Sequence, residues 1–174
     1  MRIKYKISFG NHIKVLELLI FLTVGLYAFI FYEEHYNEFA HPGIEFDIFI
    51  LWVINLIPVL YLHIEYYVFN RRTEIEIDSW KKEFVYRDKA GTIETYNFDD
   101  FSKIVVYMPP HFHSKRMFIR IPFDTYHYSK IYTKSGKEII ITCLMARKVQ
   151  DAVASIRGVP IEKKKRIFAS ILIE

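Results

Sequence analysis

The chain has one cysteine, Cys143, in 174 residues, so no disulfide can form within it and a multi-cysteine zinc site is excluded. That thiol lies in the apolar stretch "IIITC", where it reads as a small core hydrophobe. No P-loop, dinucleotide fingerprint or HExxH helix is present, and no nucleophile stands beside a base. No nucleic-acid-binding motif occurs. Lysine and arginine are missing from Glu33 to Asp47, a stretch that carries Glu33, Glu34, Glu38, Glu45 and Asp47. Charge is nearly missing from a long run on either side of it. These absences point away from catalysis and cofactors and toward a lipid boundary.

The first run, Val15 to Tyr32, holds one charge, Glu17, three residues after Lys14 and able to pair with it. Its 18 residues span about 27 Å, close to a bilayer core. The second, Ile48 to Leu62, holds no charge; continued to Phe69 it makes a helix of about 33 Å. Tyr61, Tyr66 and Tyr67 at its exit suit an aromatic belt. Pro58 removes a backbone donor in mid-span and bends the helix, and Asn55 either satisfies the freed groups or bonds across to Thr23. Arg2, Lys4 and Lys6 suit a signal peptide, but no small-residue cleavage site follows, so the helix is read as retained. The expected organisation is a basic N-terminus (1–14), a hairpin (15–69) with spans 15–32 and 48–69, and an external loop (33–47). Residues 1–14 hold four basic side chains, the loop none, and Arg71, Arg72, Lys81 and Lys82 follow the second span. The positive-inside rule therefore puts both termini in the cytoplasm. The rival is a soluble protein with two core helices, but the remaining 105 residues are too few to wrap both.

From Thr73 the apolar period becomes two. Strands are predicted over 73–78, 82–87, 92–98, 102–108, 117–121, 126–133 and 138–143. "DKAG" (88–91) and "KSG" (134–136) supply hairpin turns, and Pro109 and Pro110 stop the fourth strand. Met145, Val149, Ala152, Val153 and Ile156 then repeat at helical spacing, over about four turns, and Gly158 and Pro160 end that helix.

Seven antiparallel strands and one amphipathic helix are the element order of a pleckstrin-homology (PH)-like barrel. "YSKIYTKSGKEIIITCLMARKVQDAVASI" resembles the last hairpin and helix of bacterial PH-like domains, and "TIETYNFDDFSKIVV" resembles their central strand pair. The resemblance covers residues 70–158. Two spans directly before such a domain are similar to small bacterial membrane proteins. It implies a membrane α-helical hairpin plus an α+β PH-like barrel, seven strands capped by one C-terminal helix, on a bacterial inner membrane. There are departures. The final helix lacks a tryptophan, and Val85 stands where phosphoinositide-binding members need a base, so specific phosphoinositide binding is not supported.

Residues 70–174 hold 20 basic against 13 acidic side chains. Anionic headgroups are therefore an expected partner. The candidate surface contacts, to membrane or partner, are Arg71, Arg72, Trp80, Lys81, Lys82, Lys115, Arg116, Lys163, Lys164, Lys165 and Arg166; Asn55 and Pro58 are the intramembrane polar positions. The tail 159–174 joins four bases to Ile167, Phe168, Ile171 and Leu172, and either lies on lipid as a short amphipathic helix or packs on the barrel. Asp99 and Asp100 suit a turn or a cap. The leading reading is a non-enzymatic, membrane-anchored binding or assembly module with an unidentified protein partner. One alternative is an immunity protein that meets a toxin through the acidic external loop. Another is a metal-dependent enzyme using His111 and His113, with His127 on a later strand.

Overall fold

A strand and two long helices open the chain: β1 (Arg2–Lys6), α1 (Phe9–Tyr36) and α2 (Ile44–Asn70). β2 (Glu74–Asp78), β3 (Glu83–Arg87), β4 (Ile93–Asn97), β5 (Phe101–Met108), β6 (Tyr128–Thr133), β7 (Glu138–Thr142), α3 (Val149–Ala154) and β8 (Ile161–Lys165) follow. This is a computed structural model, and it describes residues 2–36, 43–110 and 121–173. The strands form two four-stranded sheets, ordered β1-β2-β3-β4 and β7-β6-β5-β8. Ile75, Ile77 and Phe84 from the first sheet meet Ile104, Ile131, Ile139 and Ile141 from the second in one core, which Val149, Ala152 and Val153 of α3 join.

Eight strands therefore stand among the described residues, not the seven expected. β1 is an addition the basic start conceals. "RIKYK" alternates charge with Ile3 and Tyr5, and it pairs with "EIEID" so that Lys6 faces Glu74, Lys4 faces Glu76 and Arg2 faces Asp78. The basic N-terminus is thus not a separate segment, and the whole helical hairpin is inserted between β1 and β2. β8 is the second addition. It pairs in parallel with β5, so the tail is a strand there and not an amphipathic helix. The segment expected as strand 117–121 lies outside the described residues except for Ile121, which precedes a 3-10 turn, Pro122–Thr125.

The glycine turns form as their sequences demand: Gly91 and Gly136 adopt φ of 91° and 89°, a region closed to most side chains. Asp100 takes the capping role, accepting the Asn97 amide at 2.7 Å. α3 is shorter than its apolar stripe. Met145 and Ile156 are buried as expected, but Asn11 donates to the Leu144 and Met145 carbonyls and the Val149 amide goes to His127. Bonds to other elements thus replace the helix's first turn.

α2 runs through Pro58 without interruption. Asn55 does not reach Thr23; it donates to Leu51 in its own helix at 2.9 Å. Trp52, three residues earlier, supplies an inter-helix bond in its place, its indole N–H donating to the Thr23 hydroxyl at 3.0 Å.

Candidate functional site

Among the described residues, burial along the hairpin is confined to its foot. On α1 the buried side chains are Val15 and Leu19; on α2 they are Val59, Leu62, Glu65, Tyr66 and Asn70. Their spacing of three and four puts one face of each helix against the sheets. Beyond them, no side chain from Ile20 to His35 or from Phe46 to Pro58 is buried. Both helices are long and apolar enough to cross a membrane, and only 11% of each apolar window is buried. A core helix of a soluble fold would be enclosed, so the soluble rival finds no support in this packing.

The foot is bolted to the sheets by polar contacts. The Asn70 amide pairs with β7 much as a strand residue would, donating to Ile140 O at 2.8 Å and accepting from Thr142 N at 3.1 Å. Thr125 donates to the Val15 carbonyl at 2.9 Å. His12 and His63 share a 2.8 Å hydrogen bond, and the other nitrogen of His63 meets the Tyr126 hydroxyl at 2.9 Å. After Asn70 the chain turns at once. Arg71 bonds back to the Tyr67 carbonyl at 2.7 Å and Arg72 takes φ of 62°, so these two residues end the helix and start β2.

The tail completes the grip. Tyr66 donates to the Ala169 carbonyl at 2.5 Å and Tyr128 to the Ser170 carbonyl at 3.0 Å. The buried Glu65 carboxylate accepts from the Ser170 hydroxyl at 2.8 Å, the Ile171 amide at 3.1 Å and the Leu172 amide at 2.9 Å. A buried carboxylate is tolerated when its lone pairs are filled this way. Sequence reading missed this role of Glu65. The signal is an acid amid tyrosines, but its partners lie about a hundred residues on.

Strand direction separates the expected contact residues. β2 leaves the end of α2, and Glu74 at its start pairs with Lys6 and Arg87. The β2–β3 turn, with Trp80, Lys81 and Lys82, therefore lies at the end of the sheet away from the helices. Trp80 is 85% exposed there. The β3–β4 turn returns to the helices, and Lys89, which sequence reading passed over, sits 5.6 Å from the Phe69 ring. β8 runs the same way as β5, toward the foot, carrying Lys163, Lys164 and Lys165 with it. Arg166 follows, its guanidinium 4.7 Å from the Tyr107 ring centre and 2.9 Å from the Ile173 carbonyl. The structure thus groups Arg71, Arg72 and Lys89 at the helix end of one sheet and Lys164 to Arg166 at that of the other. Trp80, Lys81 and Lys82 belong to neither group. Lys115 and Arg116 lie outside the described residues.

Three other polar clusters among the described residues pair within themselves. A cavity of about 180 Å³ on the outer face of the first sheet is lined by Arg2, Glu74, Glu76, Val85, Arg87 and Ile93. Its charges neutralise one another: Arg2 binds Glu76, while Lys4 and Arg87 bind Glu74. Glu94 accepts from Lys137, which holds its carboxyl below the usual range, and burial with the Glu94 hydrogen bond pushes Tyr96 up to about 12. Burial pushes the Cys143 thiol up to about 12 as well, the setting of an inert thiol. His127 accepts the Val149 amide on Nε2 and so donates from Nδ1 to Thr125 O at 3.0 Å; both nitrogens are occupied by the fold. Its partners in the expected metal spacing, His111 and His113, lie outside the described residues. Among the described residues no group of three or more His, Cys, Asp or Glu side chains is placed to hold a metal.

Comparison with curated proteins gives no match. The family model for the PH domain matches residues 4–150, from within β1 to the start of α3. The match therefore does not follow the hairpin, as a C-terminal PH-like domain would, but starts before it. The domain begins at the N-terminal strand and includes the helical hairpin, because β1 is the outer strand of the first sheet. A PH match over most of the chain, a two-sheet sandwich and a short closing helix agree: this chain belongs to the PH domain family.

Proposed function

We propose that this protein is a non-enzymatic, membrane-anchored PH-type binding module. Its hairpin crosses a bacterial inner membrane twice, and its sandwich stands on the cytoplasmic face as a docking platform. One observation carries the reading: a bare apolar hairpin is inserted into the first sheet and gripped at its foot, so the sandwich cannot swing away from the bilayer. Orientation rests on the four basic side chains in residues 1–14 and their absence from the loop. Arg71, Arg72, Lys89, Lys164, Lys165 and Arg166 stand at the helix end and meet anionic headgroups. Trp80, Lys81 and Lys82, at the other end, are left for a protein partner.

Cysteine accessibility in intact cells tests the arrangement. A membrane-impermeant maleimide should label Glu34→Cys and leave Lys134→Cys unlabelled until the membrane is opened. The opposite pattern would reverse the orientation, and release of the protein from membranes by alkaline carbonate would remove the anchor. A photo-crosslinker at position 80 should then trap a protein in native membranes that one at Glu34 does not.

A further inference from the structure

The bare part of the hairpin is short for a bilayer. Sections free of both charge and buried side chains run from Ile20 to Tyr32 on α1 and from Ile48 to Pro58 on α2. At 1.5 Å per residue they measure about 20 and 16 Å, against about 30 Å of hydrocarbon. The difference is made up either by thinning the bilayer or by sinking the gripped foot into it. What surrounds the foot decides between these.

One flank of the foot is covered by the tail. The Phe168 ring lies 5.8 Å from Tyr61 and 6.1 Å from Phe123. Tyr61 is nine residues before the end of α2, so the tail reaches about 13 Å back along the helix. The clasp by Tyr66, Tyr128 and Glu65 fixes which side chains face inward: Ala169, Ser170 and Ile171 are buried. The aliphatic side chains on either side of them point out. Ile167 is 74% exposed, Leu172 67% and Ile173 58%. They adjoin the part of α2 whose own Leu60, Tyr61 and Ile64 are exposed, and Lys163 to Arg166 immediately precede them. Exposed aliphatics behind a basic run, continuous with a lipid-facing helix, are the composition of a segment lying in the headgroup–acyl boundary.

We infer that residues 167–173 are a lipid-inserting lobe, sunk beside the hairpin into the cytoplasmic leaflet, with Lys164, Lys165 and Arg166 on the anionic headgroups above it. The inference rests on the membrane reading of the hairpin. It concerns a segment beyond the residues matched to the family. An insertion at the upper end of the roughly 5–10 Å usual for such segments supplies most of the missing thickness. The tail then has two jobs. Its backbone ties the sandwich to α2, and its side chains set how deep the assembly sits.

Nitroxide depth measurements on the full chain in phosphatidylcholine–phosphatidylglycerol vesicles test this. Labels go singly on Ile167→Cys, Leu172→Cys and Ile173→Cys in a Cys143→Ala background. Ile57→Cys serves as the mid-span reference and Lys134→Cys as the aqueous one. The expected result is that oxygen relaxes the three tail labels more than a nickel chelate does, with the reverse at Lys134→Cys. Tail labels that behave like Lys134→Cys while Ile57→Cys remains lipid-exposed overturn the lobe and leave the anchor standing. An aqueous Ile57→Cys label overturns the anchor itself. All the labelled positions are exposed, so the variants retain the fold, and thermal unfolding of each checks that.

Discussion

Glu65 shows what one side chain contributes when its environment is complete. It is buried, yet it receives a hydroxyl and two backbone amides from the tail. Glu65→Gln keeps the volume but turns an amide N–H₂ toward those donors. The expected cost is about 2 kcal/mol, in the range for charge-assisted bonds to a buried group. Thermal unfolding in detergent checks the magnitude. Amide exchange at Ile171 and Leu172 checks the cause, since it should speed up while exchange in β6 does not. Cys143 makes the opposite prediction. Its thiol is buried and pushed up to about 12, so an alkylating reagent should leave the folded chain untouched at neutral pH and modify it fully in denaturant.

Among elements, β1 is the most sensitive to solution conditions. Its cross-strand ladder places Lys4 on Glu74 at 2.8 Å and Arg2 on Glu76. The hydrogen bond from Lys4 is the main reason the Glu74 carboxyl lies below its ordinary value of 4.5. A carboxyl depressed in the folded state stabilises above its unfolded pKa, and that contribution is lost as pH falls through the folded one. Measured against the intrinsic rate at each pH, exchange at Ile3 and Tyr5 should therefore accelerate below pH 4.5 sooner than exchange at Ile131 and Ile139. The groups are partly exposed, so the effect should be small and salt-sensitive. Uniform acceleration across both sheets would mean that the ladder does not set β1 pairing.

At the scale of the whole molecule, inserting the hairpin between β1 and β2 makes helices and sheets one folding unit. A fragment of residues 70–158 lacks β1, β8, the clasped tail and the helix foot. It leaves the core open at Tyr126 and Tyr128, where Tyr66 of the foot packs on them, and should not unfold cooperatively. By contrast, a chain that keeps 1–19 and 59–174 and joins Leu19 to Val59 by a short glycine–serine linker retains every buried side chain of the foot. Packed helices stand about 8–10 Å apart, a gap such a linker spans. That chain should be soluble without detergent and melt in a single transition. Its failure to fold would show that the bare sections also carry structural load.

Local patterns settled much of this protein. Charge-free runs marked the hairpin, period-two alternation marked β2 to β7, and DKAG and KSG marked their turns. Each of these signals lies within a few residues, where helix and strand periods and backbone sterics operate. The basic start and the basic tail gave local signals too, but misleading ones, since a solvated segment and an exposed edge strand share the same composition. Only the fold made RIKYK a strand, because its partner EIEID lies seventy residues away across the hairpin. Only the fold gave Glu65 its tail and sent Trp80 to the end away from Arg71, because those outcomes depend on strand direction and long-range hydrogen bonds. Sequence determined what each segment is made to touch, water or grease. The tertiary structure decided which segments touch each other, since main-chain pairing and buried carboxylates choose partners by geometry, which composition does not encode.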